Sequence, residues 1–267
     1  MGYIFSLADA QRSDCWFGSA RGREALEFEQ ELLGRVWNPL LPQRVLEVGC
    51  GTGVFLDWFR SQGHIVAGLE PSGESLELAR ERLGYKVPLT QGFAEDLPYE
   101  DNQFDTVALI TSLEFVEDPY AALREAFRVA RRNVLVGALN RFSIGGVQCG
   151  LKGFRRESVY SHARFFSIFE LSRMCEKILC ARLPIQWRTC FSFPVQLLPY
   201  LRSVENNPLM QRNPFGHFIA MRVDMQCRVR TLKAPVFEEI PAVANVSAHS
   251  LGWWRPSLKA QEKGMDS

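Results

Sequence analysis

The spacing of apolar and polar positions changes character twice along the chain. From about Ser19 to Trp37 the apolar residues recur at helical intervals. Leu26, Leu33 and Trp37 share one face with Leu32 and Val36 beside them, while Glu24, Glu27, Glu29 and Glu31 keep the other faces wet. Asn38-Pro39 ends that helix, because the residue before a proline leaves the helical region. From Arg44 onward, short apolar runs alternate with helical stretches. Val45 to Val48 precedes a helix from about Thr52 to Gln62, and Ile65 to Leu69 precedes one from about Gly73 to Leu83, with Gly84 as its C-cap. Lys86 to Leu89 and Asp105 to Ile110 come next, then a helix from about Pro119 to Arg131, then Asn133 to Leu139. Strands of this buried type, separated by helices or crossovers, predict a parallel sheet covered on both faces, the doubly wound α/β class.

After Leu139 the alternation stops. Residues 140–170 are rich in Arg, Gly and aromatics and read as an insertion. A helix from about Ile168 to Ile178 follows, then strands at Leu183 to Phe193 and His217 to Val223. The stretch 231–267 reads as an extended tail carrying Trp253-Trp254. The expected organisation is a helical cap over 1–43, a core domain over 44–228 with 140–170 as a lid, and a tail over 229–267.

Composition narrows the class. The chain has 267 residues, 46% hydrophobic and 23% charged, with 31 basic against 30 acidic side chains, which suits a globular protein. A net charge of +1 argues against a general nucleic-acid coat protein, so no nucleic-acid partner is expected. No apolar run approaches membrane-spanning length, and Met1 to Ala10 lacks the basic and apolar segments of a secretory signal. The seven cysteines are scattered, without CxxC pairs or histidines at zinc spacing. They read as reduced thiols in a cytoplasmic protein with no metal site.

The segment that carries chemistry is Val45-Leu46-Glu47-Val48-Gly49-Cys50-Gly51-Thr52-Gly53. A buried strand runs into glycines and then into a helix. Glycines permit a sharp turn and let a ligand approach main-chain atoms that a Cβ would shield. Glu70 ends the second strand, where a carboxylate can accept both hydroxyls of a ribose. An adenosine-containing cofactor at the strand C-termini is the expectation. A dinucleotide fingerprint is broken, because Val54 stands where G-x-G-x-x-G/A needs its third small residue. Glu47 would also repel a pyrophosphate, and suits a cationic ligand.

Glu47-Val48-Gly49-Cys50-Gly51-Thr52-Gly53 resembles motif I of class I S-adenosylmethionine-dependent methyltransferases. Glu70-Pro71-Ser72 resembles the ribose-binding end of that family's second strand. Gly92 to Pro98 with Asp101 to Asp105 is similar to the type 11, ubiquinone-biosynthesis-like subgroup, and Thr111 to Pro119 resembles the segment flanking the methyl group. The resemblance covers about residues 44–140. It implies a mostly parallel seven-stranded, Rossmann-like sheet with a lid after strand five, and S-adenosylmethionine as cofactor, released as S-adenosylhomocysteine. It further implies that Glu47, Gly49, Cys50, Gly51, Gly53, Glu70, Pro71, Ala94, Glu95 and Thr111 bind that cofactor. Phe93 stands where many relatives carry an aspartate for the adenine, leaving Glu95 or a backbone carbonyl to serve. Phe115 stands where many carry a histidine, so no catalytic residue is assigned.

The acceptor side is marked by charge. Residues 91–120 hold eight acids and no Lys or Arg, whereas 122–164 hold nine bases against Glu125 and Glu157. This basic segment reads either as a helix followed by a solvated loop or as a lid that recruits an anionic acceptor or a membrane surface, and its aromatics either as lid core or as the wall of an apolar pocket. The expected partner is a small-molecule or lipid-like acceptor, anionic or aromatic under the lid reading. Among the histidines His162 is the first candidate for an acceptor-side acid or base, without being assigned that role; His217 is read as structural, and Trp16-Phe17 as a flap or as simple packing. The leading expectation is methyl transfer to such an acceptor, and the alternative is a cofactor-binding assembly partner without transferase activity. Base N-methylation is disfavoured because Thr111-Ser112-Leu113-Glu114 occupies the place of its Asp/Asn-Pro-Pro-aromatic tetrad.

Overall fold

The computed structural model describes residues 2–143, 162–181, 184–192 and 198–225, the side chains of 198–201 excepted. The chain divides into two units, 1–227 and 228–267, and the second, with Trp253-Trp254, lies outside the described residues. So do residues 144–161, the middle of the expected lid.

Five parallel strands build the heart of the sheet: β1 (Arg44–Val48), β2 (Ile65–Glu70), β3 (Leu89–Gln91), β4 (Phe104–Ile110) and β5 (Ala130–Leu139). β6 (Ile185–Cys190) and β7 (Phe218–Asp224) complete it in the order β3-β2-β1-β4-β5-β7-β6, with β7 antiparallel to both β5 and β6. This is the doubly wound, mostly parallel seven-stranded sheet that the apolar pattern and the resemblance predicted. β1 pairs with β2 on one side and β4 on the other, so the chain order reverses there and opens a crevice at the strand C-termini.

Helices α3 (Val54–Ser61), α4 (Gly73–Leu83) and α5 (Pro119–Val129) connect the parallel strands, and α6 (Ile168–Leu179) precedes β6. Their apolar faces build two cores, one on each side of the sheet. Leu46, Leu109, Leu123, Phe127, Phe166 and Met221 belong to one, and Phe28, Leu33, Phe59, Leu76 and Phe218 to the other. A short helix α7 (Leu198–Glu205) and a 3-10 turn at Met210–Arg212 join β6 to β7.

Several boundaries differ from the sequence expectation. The third strand begins at Leu89 rather than Lys86, because Pro88 has no N–H to give a ladder; its carbonyl instead accepts the Gly68 N–H at 3.0 Å. The fifth helix stops at Val129, where Ala130 turns to extended backbone and β5 starts. Helix α2 (Ala20–Val36) is capped by the Ser19 hydroxyl and buries Ala25, Phe28, Leu32, Leu33 and Val36, with Leu26 only partly buried. Ahead of it stands α1 (Leu7–Gly18), which the periodicity did not reveal. Its signal is local: Ser6 and Asp9 form a reciprocal capping box.

Candidate functional site

The turn after β1 is built by its backbone. Gly49, Gly51 and Gly53 all have positive φ, at +76°, +51° and +79°. At Gly49 a Cβ would also fall 2.3 Å from the Ser112 Cβ, so the turn passes against the end of β4 with no room for a side chain. The N–H groups of Gly49 and Cys50 both donate to the Leu69 carbonyl, at 2.7 and 3.1 Å. The Gly51 N–H donates to Glu70 Oε2 at 3.0 Å, and the Ser72 N–H to Glu70 Oε1 at 3.1 Å. Glu70 is thus held rigidly at the tip of β2, each oxygen retaining acceptor capacity toward the crevice. Burial raises its carboxyl above the usual range, against the lowering effect of those two N–H groups.

Glu47 lies one residue before the end of β1, between Gly68 and Ala108 on the neighbouring strands, and is 1% exposed. Its Oε2 has no partner among the described residues. Burial and then Glu70 push this carboxyl well above its ordinary value, with the Leu56 N–H acting against them. A buried carboxyl with a free oxygen at a cavity wall is set up to receive a cation.

These residues line a cavity of about 800 Å³. Nine of the ten residues singled out from the sequence border it: Glu47, Gly49, Cys50, Gly51, Glu70, Pro71, Ala94, Glu95 and Thr111. Gly53 does not; it starts α3 and packs against Leu83 and Ala79 of α4. Glu95 Oε1 accepts the N–H groups of Glu117 and Asp118, at 2.8 and 3.3 Å, tying its loop to the segment after β4.

The far wall comes from the N-terminus. Gly2 to Phe5 and Asp9, Arg12, Ser13, Trp16 and Phe17 all border the cavity. The Tyr3 N–H donates to the Phe115 carbonyl at 2.8 Å, and the Phe5 ring meets Phe115 edge-on at 5.0 Å. Asp14 anchors α1 to the glycine turn, accepting from the Thr52 hydroxyl and, at 2.9 Å, from Arg82. Trp16 and Phe17 thus both reach the cavity from α1, Trp16 with its side chain exposed.

Of the histidines, His162 stacks on Tyr3 at 4.3 Å but does not itself border the cavity. His217 is half-buried, with Nδ1 2.9 Å from the Ser143 hydroxyl, and desolvation lowers its pKa. What sequence reasoning missed is Glu29. Helical periodicity sets it among the wet-face glutamates of α2, yet it lines the same cavity as α1. Burial, then Glu114, pushes its carboxyl up to about 8. Glu114 is itself 1% exposed, gives Oε1 to the Leu139 N–H at 2.6 Å, and is raised by burial to about 7.

Comparison with known proteins places these features. Residues 46–136 match a family described as a methyltransferase domain. An uncharacterized protein of Methanocaldococcus jannaschii is 35% identical over 137 residues, 51% of this chain and 63% of that protein. The ubiquinone biosynthesis O-methyltransferase of Vibrio vulnificus is 31% identical over 150 residues, 52% of this chain and 63% of its own. This chain therefore spans about three fifths of the length of the curated relatives it matches. Among solved structures, a SAM-dependent methyltransferase of Thermotoga maritima, described as a possible histamine N-methyltransferase, superposes with a TM-score of 0.65 at 29% identity. It covers 82% of this chain and 98% of its own.

Proposed function

We propose that this protein, whose residues 46–136 form a class I S-adenosylmethionine-dependent methyltransferase domain of the type 11 group, transfers a methyl group to a small-molecule acceptor held under its N-terminal helix. S-adenosylmethionine is the cofactor of the domain, and when bound it supplies a methyl group already activated on a sulfonium. The residues present fit it. The free Glu47 oxygen suits the ammonium of its methionine part, the Gly49–Gly51 backbone admits close approach, and Glu70 has acceptor capacity for a ribose diol. Phe93, Ala94 and Pro71 supply apolar surface for an adenine.

The observation that carries the proposal is that one cavity joins this crevice to the aromatic wall of Tyr3, Phe5, Trp16, Phe17 and Phe115. Displacement at a sulfonium methyl needs chiefly a nucleophile held close, in line and away from water. The chain's own contribution is that enclosure: α1 covers the crevice, and Asp14 and Tyr3 hold it down. Among the described residues no helix is long and apolar enough to cross a membrane. The free cysteines 15, 50, 175, 180 and 190 suit the reducing cytoplasm, where we place the protein.

The test is calorimetric titration with S-adenosylmethionine and S-adenosylhomocysteine, with NAD as control, followed by transfer of labelled methyl to a panel of small acceptors. Saturable binding of the first two, absence of NAD binding and turnover with a panel member are expected. Binding without turnover on any acceptor would favour the assembly-partner alternative, and no binding would overturn the proposal.

A further inference from the structure

The charged groups around the cavity are not equally committed. Glu70 and Glu95 accept backbone N–H groups, and Glu117, exposed at the cavity edge, is engaged by other groups. Asp9 caps α1 and sits 3.6 Å from Arg12, the one basic side chain lining the cavity among the described residues. Glu47 faces the crevice beside the glycine turn, where the cofactor's ammonium neutralises it. Glu29 remains. Among the described residues it has no hydrogen-bond or ion-pair partner, and it opens into the same space as Tyr3, Phe5, Trp16, Phe17 and Phe115.

The groups facing Glu29 from neighbouring elements add no cation that satisfies it. Glu114, after β4, interacts with it as a like charge. On β6 the Cys190 thiol, pushed up by burial, is neutral and itself feels Glu29 and Glu205. Arg35 of α2 is turned to Glu31 and Asn206. Aromatic walls with one uncommitted, half-buried carboxyl and no uncommitted cation form a receptor for a positive charge on an apolar body.

We infer that the methyl acceptor is an amine carrying an apolar or aromatic body, and that Glu29 is the catalytic residue that receives its ammonium and takes its proton. This rests on the methyltransferase reading above and names its substrate class; it differs from the anionic acceptor that the basic 122–164 segment suggested. The step balances. The Glu29 carboxylate takes a proton from R–NH₃⁺, leaving R–NH₂ and a neutral carboxylic acid. The nitrogen lone pair forms the bond to the methyl carbon as the carbon–sulfur bond breaks. That bond's electrons return to sulfur, giving a neutral thioether and a methylammonium product. A carboxyl held near neutrality can both accept that proton and release it afterwards, which the elevation of Glu29 to about 8 allows.

The experiment uses the full chain loaded with S-adenosylhomocysteine. It is titrated calorimetrically with tryptamine, phenethylamine and hexylamine, each against the alcohol and carboxylate of matched skeleton. Amines are expected to saturate about tenfold or more tightly than the alcohols, with no carboxylate binding. Glu29→Gln is expected to lose that preference while S-adenosylhomocysteine affinity, the check on folding, stays unchanged. Glu29→Asp keeps part of it. In methyl transfer, the rise of kcat/KM with pH is expected to flatten in Glu29→Gln. Saturation by no amine, equal or tighter binding of alcohols or carboxylates, or amine binding untouched in Glu29→Gln each overturns the inference. Failure of S-adenosylhomocysteine itself to bind is a different result, which removes the methyltransferase reading and this inference with it.

Discussion

Glu70 Oε2 accepts the N–H of Gly51 at 3.0 Å, so the carboxylate at the tip of β2 holds the middle of the glycine turn that follows β1. One side chain thereby shapes the cofactor crevice and lines it. Glu70→Ala removes both roles. S-adenosylhomocysteine affinity is expected to fall by about tenfold or more by calorimetry, with a stability loss of about 1–3 kcal/mol from the orphaned buried N–H groups. Unchanged affinity would mean that Glu70 plays no part in holding the cofactor.

Gly49 and Ser112 are packed together although 63 positions apart in sequence. A methyl at Gly49 collides with the Ser112 Cβ and sits on backbone at φ +76°. Gly49→Ala is expected to cost about 1–3 kcal/mol in urea unfolding. The double variant with Ser112→Gly recovers only the collision, not the φ penalty. Full recovery would show that the backbone relaxes.

The pH profile of the unliganded protein carries the mark of two desolvated carboxyls. Glu29 and Glu114 hold their protons to about 8 and about 7, against 4.5 ordinarily. The folded state therefore binds these protons more tightly than the unfolded chain does. Their stabilising contribution is complete below about pH 4.5 and is lost as pH rises through these raised values. Thermal unfolding scans from pH 5 to 9 should show a falling midpoint, and Glu29→Gln should flatten the fall above pH 7. A wild-type midpoint rising over this range would contradict the raised pKa values of both groups.

Asp14 joins α1 to the turn through the Thr52 hydroxyl and Arg82. Asp14→Ala is expected to raise amide exchange over residues 7–18 and to weaken S-adenosylhomocysteine binding several-fold, leaving exchange in β4 and β5 as it was. Protection of α1 equal to wild type would show that the preceding Tyr3 and Phe5 contacts with Phe115 suffice to hold it.

Trp37 serves the fold from outside the cavity. Its Nε1 donates to Thr106 Oγ1 and Asn133 Oδ1, at 3.2 and 3.1 Å, beneath β1, β4 and β5. Trp37→Phe should cost about 1–3 kcal/mol by urea denaturation with cofactor affinity intact. A loss of affinity would place Trp37 in the crevice after all.

Much of this was readable in the chain itself. Strand Val45–Val48, the glycines at 49, 51 and 53 and Glu70 at the next strand's end declare a parallel sheet with a crevice at its switch point. Apolar runs, glycine freedom and crossover handedness are local, and they narrow the topology sharply. The same local signal at Ser6 and Asp9 marked α1, though the weak amphipathicity beyond it hid the helix. Other features were set by the folded arrangement. Helical periodicity put Glu29 with Glu24, Glu27 and Glu31 on wet faces; packing α1 over α2 enclosed it instead, and chain reversal brought Glu114 near it. Ser112, not any neighbour in sequence, adds a steric demand at Gly49. A sequence period states which residues share a face. What lies opposite that face is decided by which elements the tertiary fold brings against it, and that contact turns an apparent surface glutamate into a carboxyl lining the cavity.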